Sequence, residues 1–169
     1  MNREGTLYKV VLLGVLCAIC GLLLGGVNAV TAPIIAEAKI ANEKVNLEKI
    51  YPGATFTAVE DYKDESGMVE GVYVAEGKGM IYKIHGVGYA SDGFDFLIAF
   101  NDDGTVGGYQ VLAENETSGF GKRCFEDEYV SQITALTASD TAPLLSGATL
   151  TSTAIQKGYA AAVALFNAR

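Results

Sequence analysis

Between Lys9 and Glu37 no charged residue interrupts a run dominated by Val, Leu, Ile, Ala and Gly. A helix of roughly 20 apolar residues crosses the hydrocarbon core of a bilayer. The run therefore predicts a membrane helix over 7–35, behind a short polar start at 1–6. A cleaved signal peptide is the rival reading. Its apolar part is usually about 7–15 residues and ends at a small-residue cleavage site, so the greater length here favours a retained anchor. Thr31-Ala32-Pro33-Ile34-Ile35 reads as helix continuing with a kink at Pro33. A polar helical extension follows from 36 to about 50, with Ile40, Val45, Leu47 and Ile50 giving a loose apolar stripe. Tyr51-Pro52-Gly53-Ala54 then breaks it.

Beyond residue 56 the period changes. The alternating stretch 69–75 reads as a strand, and 80–84 predict a shorter one. A third strand is expected over 94–100, between Asp92-Gly93 and Asn101-Asp102-Asp103-Gly104. The second of these is a hairpin turn signal, so 105–112 is expected to return as the partner strand. Residues 126–137 read as a helix or an irregular segment. Over 153–166 the apolar positions Ile155, Tyr159, Ala162 and Phe166 predict an amphipathic helix. The expected class is α+β: one N-terminal membrane helix, then a twisted antiparallel sheet with flanking helices. The divisions expected are 1–6 (tail), 7–35 (membrane helix), 36–55 (linker helix and turn) and 56–169 (soluble domain).

Composition adds exclusions. Twenty acidic residues against 12 basic ones give a net charge of −8, which argues against a nucleic-acid partner because phosphate binding needs a clustered basic surface. Arg3 and Lys9 flank one side of the apolar run and Lys39, Lys44 and Lys49 the other, so the positive-inside rule does not decide orientation. Cys17 and Cys20 share a helix face at i, i+3, while Cys124 lies far away. The pair reads either as two small apolar residues or as half of a metal or redox site, and tetrahedral metal sites want four ligands. Gly14, Ala18, Gly21 and Gly25 form a small-residue face, including a GxxxG. Such a face admits a close helix partner, although Gly is frequent in membrane helices generally.

Hydrolytic chemistry finds little support. The one histidine, His85, lies in a Gly-rich stretch and reads as a surface or loop residue. Neither Lys78-Gly79 nor Gly86-Val87-Gly88 matches a Walker loop or a dinucleotide fingerprint. Asp102-Asp103 reads as turn chemistry. The informative stretch is Ser146-Gly147-Ala148-Thr149-Leu150-Thr151-Ser152, feeding a helix whose Thr153 and Gln156 fit a capping box. Hydroxyls and free backbone N–H groups at a helix start suit a phosphate. The same residues also fit a polar loop with an ordinary N-cap.

Ser146-Gly147-Ala148-Thr149 followed by Leu150-Thr151-Ser152 resembles the flavinylation motif of FMN-binding domains, which occur in the G subunit of the Rnf ferredoxin:NAD oxidoreductase and the C subunit of the sodium-pumping NADH:quinone oxidoreductase. Glu116-Thr117-Ser118-Gly119-Phe120-Gly121 resembles that family's Glu-Thr-Pro-Gly-Leu-Gly loop, which lies against the flavin. The stretch 28–35 is similar to the end of the family's single membrane helix. The order of anchor, hairpin, loop and attachment motif also agrees, so the resemblance covers nearly the whole chain. Gly53-Ala54-Thr55 repeats the tripeptide without the flanking residues and reads as a turn. Two departures stand out: Pro143 where the family carries an acidic residue, with Asp140 the nearest acid upstream, and Ser118 where it carries proline.

The resemblance implies FMN held by a phosphodiester on Thr149 and installed by a flavin transferase. Ser146, Gly147, Ala148, Thr151, Ser152, Glu116, Thr117, Gly119 and Phe120 would surround the flavin, with Phe120 a candidate stacking partner. It implies a non-catalytic, single-pass electron carrier of the cell membrane, its soluble domain extracytoplasmic, among the other membrane subunits of an ion-translocating redox complex. The alternatives are a stand-alone carrier for an extracellular acceptor and a non-redox anchored module that binds a phosphate-bearing ligand.

Overall fold

The structure, a computed structural model, describes residues 5–114 and 116–169, apart from the side chains of 6, 7, 28–30 and 32–42. The start at 1–4, the kink expected at Pro33, the stripe position Ile40 and nearly all of the family-like stretch 28–35 fall outside that description. Helix α1 spans Thr6–Ile50. Two compact units are distinguished, residues 1–42 and 43–169.

In the first unit, Tyr8–Val27 is a 20-residue segment long and apolar enough to cross a membrane. Its Leu and Val side chains are exposed, as in Leu22 and Leu24. None of the described residues buries them, as expected of side chains that face lipid. Cys17 and Cys20 are free and exposed on this helix.

The second unit is a five-stranded antiparallel meander in the order β1-β2-β3-β4-β5. Its strands are β1 (Phe56–Val59), β2 (Val69–Ala75), β3 (Gly79–Gly86), β4 (Phe94–Asn101) and β5 (Val106–Glu114). The expected α+β class holds, with β1 an addition that the alternation did not reveal because four residues are too few to show a period. Side chains alternate between two covered faces. Tyr82, Ile84, Phe94, Phe96, Ile98 and Phe100 face one core with α2 (Asp127–Thr134) and α3 (Thr149–Asn167). Ile81, Leu97 and Ala99 face a second, smaller core closed by Leu47 and Tyr51 at the end of α1. β4 is therefore buried on both sides, which explains its near-continuous apolar run.

The turns behave as their residues require. Asn101 accepts the Gly104 N–H at 2.9 Å, and Gly104 takes φ +84°. Asp103 Oδ1 accepts both the Thr105 N–H (2.9 Å) and its hydroxyl (2.6 Å). At the end of α1, Ala54 donates to the Tyr51 carbonyl at 3.2 Å and Gly53 takes φ +73°, so Gly53-Ala54-Thr55 belongs to a turn as expected. Within the compact unit, Leu47 is buried, Ile50 is half-buried and Val45 is exposed, so only part of the predicted stripe meets the sheet.

Two sequence expectations are corrected. α3 begins at Thr149, one turn earlier than the predicted 153, and carries no side-chain cap. Thr153 and Gln156 therefore form no capping box; Gln156 Nε2 instead donates to the Ala142 carbonyl at 2.6 Å. His85 is partly exposed, in keeping with a surface position, but it lies on β3 and not in a loop, opposite Asp95 of β4 with 2.7 Å between Nδ1 and Oδ1. Residues 83–86 are the end of that strand, because their register with β4 supplies hydrogen bonds that a loop would lack.

Candidate flavin site at the start of α3

α3 sets the position of the stretch 146–152. Its buried face includes Ile155, Tyr159, Ala162 and Phe166, each large side chain contributing roughly 1.5–3 kcal/mol by burial. Gly158 lets the helix lie close to the sheet. A Cβ there would meet Ile84 Cγ2 at 2.6 Å and the Phe96 ring at 3.0 Å. The helix is thereby fixed against β3 and β4, and its N-terminus with it.

Four side chains hold the strand-like approach to that N-terminus. Gln156 donates to the Ala142 carbonyl, and the Tyr129 hydroxyl donates to the Pro143 carbonyl at 2.6 Å. Ser152 Oγ accepts the Leu145 N–H at 3.1 Å while donating to the Ala148 carbonyl at 2.9 Å. Arg123 Nη1, from the 3₁₀ turn Gly121–Phe125, donates to the Ser146 carbonyl at 3.1 Å. Between these anchors Ala148 N–H bonds the Leu145 carbonyl at 3.0 Å, and Gly147 takes φ +86°. A positive φ at the third residue is the requirement of a type II turn, which glycine meets without strain.

Thr149 emerges from this turn as the first residue of α3. Its side chain is exposed, and its hydroxyl makes no hydrogen bond to any described residue. A cleft of about 250 Å³ opens beside it, lined by Tyr89, Phe120, Gly121, Gly147, Ala148, Thr149, Leu150 and Thr151. Outside α1, the exposed large hydrophobics among the described residues are Val87, Tyr89, Phe120, Leu144 and Leu150. Three of these five line the cleft, an arrangement suited to a flat apolar ring.

The floor of the cleft is polar. Glu116 is 94% buried, and its Oε1 accepts the N–H groups of Tyr89 (3.1 Å) and Ala90 (3.4 Å). Glu116 Oε2 and the Thr151 hydroxyl are buried without a hydrogen-bond partner. Gly88 and Gly121 make room for them: a Cβ on Gly121 would meet Thr151 Oγ1 at 2.6 Å and would clash with Glu116 Oε2. In the neighbouring turn, Thr117 O accepts the Phe120 N–H at 3.1 Å, with Gly119 at φ +80°. Burial, then the Glu116 charge, push the Cys124 thiol up to about 11, while Arg123 acts in the opposite sense.

The structure thus brings the two predicted motifs to one cleft. Thr149, Ala148, Gly147, Thr151, Phe120 and Gly121 line it, and Glu116 lies beneath. Ser146 is exposed at the turn, whereas Ser152 is fully buried and ties the turn to α3. Tyr89 and Arg123 are residues that motif reading missed. Tyr89 sits 60 positions before Thr149 in a loop without a signature. Arg123 follows the loop motif closely, and its charge beside a phosphate-type motif was the available signal.

A second polar group lies apart from the cleft lining. Potential ligand atoms of Glu70, His85 and Asp95 fall within 4.8 Å of one another. Lys83 Nζ, 3.5 Å from carboxylate oxygens of both Glu70 and Glu43, already supplies positive charge there.

The residues at the cleft fit FMN: an accessible hydroxyl, an uncapped helix start and partnerless buried polar atoms beside aromatic walls. Residues 88–164 match the FMN-binding domain family. The chain is also 27% identical over 169 residues to the G subunit of the proton-translocating ferredoxin:NAD(+) oxidoreductase complex of Clostridium ljungdahlii, covering 89% of this chain and 86% of that protein. By its matched domain and by this similarity along most of its length, the chain is similar to the FMN-binding domain family, with residues 88–164 carrying the match.

Proposed function

We propose that the chain carries FMN as a phosphodiester on Thr149 and relays electrons as a single-pass subunit of an Rnf-type ion-translocating complex. A flavin-carrying electron-transfer subunit with other complex subunits as partners is what the family and the relative support. The reading for Thr149 is carried by one observation. Its hydroxyl is free and exposed at the uncapped start of α3, in a cleft walled by Tyr89 and Phe120.

Installation by a flavin transferase balances as a phosphoryl transfer. The Thr149 oxygen forms a bond to the FMN phosphorus of FAD, AMP leaves, and the hydroxyl proton is released. Once bound, the flavin supplies the one- and two-electron chemistry. The protein's part is to hold and orient it. The α3 start favours the phosphate through its free N–H groups and dipole, and the Tyr89 and Phe120 walls exclude water from the ring. The Tyr8–Val27 helix keeps the domain at the membrane, with the soluble unit on the extracytoplasmic side in this reading.

Mass spectrometry of the mature chain, made in flavin-sufficient cells with the transferase present, tests this. A Thr149 peptide heavier by FMN less water is expected, and Thr149→Val should abolish the increment while leaving the fold's melting temperature nearly unchanged. An unmodified wild-type peptide would refute the covalent assignment.

A further inference from the structure

We propose that Arg123 is the phosphate-binding residue of this site, its guanidinium facing the phosphodiester on Thr149. The inference rests on the reading of Thr149 above. It begins from a charge imbalance. A phosphodiester adds a negative charge at the first turn of α3, where the buried carboxylate of Glu116 already lies next to Thr151. The chain as a whole carries −8. A second anion in that place needs a cation within a few ångströms, because like charges in a partly desolvated cleft repel strongly.

Two basic residues follow the loop motif, and they are engaged differently. Lys122 Nζ sits 2.8 Å from Glu114. Arg123 has no carboxylate partner among the described residues. Among the described residues its guanidinium bonds the Ser146 carbonyl alone, and the same Nη1 lies 3.4 Å from where a Gly147 side chain would begin. A guanidinium has five N–H donors in a planar fork, so most of them are left for another acceptor. The Ser146 bond holds the fork against the turn that delivers Thr149. Half-buried and lacking an acid, this arginine has the properties of a group reserved for an anion.

The helix start supplies an independent sign of a ligand. Thr151 is 99% buried, lines the cleft and has a hydroxyl without a partner. An orphaned buried hydroxyl is destabilising, and an acceptor placed in the cleft removes that cost. Arg123, Thr151 and the free N–H groups of the first turn of α3 together make a three-part anion cradle around the exposed Thr149 oxygen.

The test uses the full-length flavin-bearing chain in detergent and the ³¹P resonance of the attached FMN. In the wild type this resonance is expected to stand apart from its position in the denatured protein. Arg123→Gln keeps a donor for the Ser146 carbonyl but removes the charge, and should move the folded resonance toward the denatured position. Arg123→Lys should fall between, since a point charge replaces a fork. Wild-type protein lacking flavin mass would remove the Thr149 reading and this proposal together. A flavinylated wild type with the Arg123→Gln resonance unchanged would overturn the role of Arg123 alone. Should that variant not fold, ¹⁵N-arginine-labelled wild type decides: a guanidinium cross-peak to phosphorus supports the contact, and its absence overturns it.

Discussion

The hydroxyl of Tyr129, on α2, donates a 2.6 Å hydrogen bond to the carbonyl of Pro143, six residues before Thr149. The bond links the buried face of α2 to the stretch that leads into Thr149. Tyr129→Phe removes the donor and keeps the ring. Loss of one such bond costs about 1 kcal/mol, so urea unfolding should show an unfolding free energy lower by about that much. Amide exchange at Leu145 and Ala148 should also quicken, because the turn loses one of its four anchors.

Glu116 acts as a clasp on the loop that carries Tyr89. Glu116→Ala leaves the Tyr89 and Ala90 N–H groups without their acceptor, at roughly 1–3 kcal/mol for a buried unsatisfied group. Glu116→Gln keeps an oxygen acceptor and should lose far less. Paired denaturant melts of the two variants test this. Equal losses would show that charge, and not the acceptor, holds the loop.

Gly121 is a packing requirement as much as a turn residue. Gly121→Ala forces a methyl between Glu116 and Thr151 Oγ1. Overpacking of this kind typically costs 1–3 kcal/mol, about the range expected here. Flavin content should fall along with stability, since the displaced atoms form the floor of the cleft. Absorbance at the flavin band per mole of chain, with a thermal melt, measures both.

Alkaline pH should destabilise the soluble unit. Burial pushes the phenols of Tyr51, Tyr82 and Tyr159 up to about 12 from an ordinary 10.0, with Asp102 then Asp103 adding to the effect at Tyr51 and Asp140 at Tyr159. The folded chain holds these protons more tightly than the unfolded chain does. Their contribution is therefore complete below pH 10 and is lost as pH rises toward 12. A melting temperature flat from pH 8 to 9.5 and falling steeply above 10 is the expected profile. Tyr82→Phe should weaken that fall.

Local patterns carried much of this molecule. The strand expected over 69–75 has the bounds of β2, and the Asn101–Gly104 signal closes the β4–β5 hairpin as its residues require. The uncharged run from Lys9 onward announces the apolar helix, and the order of the two motifs points to one site. All of these rest on short-range rules: side-chain period, turn stereochemistry and segment length. What the tertiary structure decided depends on partners distant in sequence. Gln156 abandons the capping box because the Ala142 carbonyl is within reach, and α3 starts at Thr149 because Ser152 and Arg123 hold the preceding turn. The end of α1 closes the sheet's second face through Leu47 and Tyr51. Thr149 was legible from its neighbours only as an accessible hydroxyl at a phosphate-friendly helix start. The cleft beside it required Tyr89, Phe120 and Glu116 to meet, and no local period encodes that meeting.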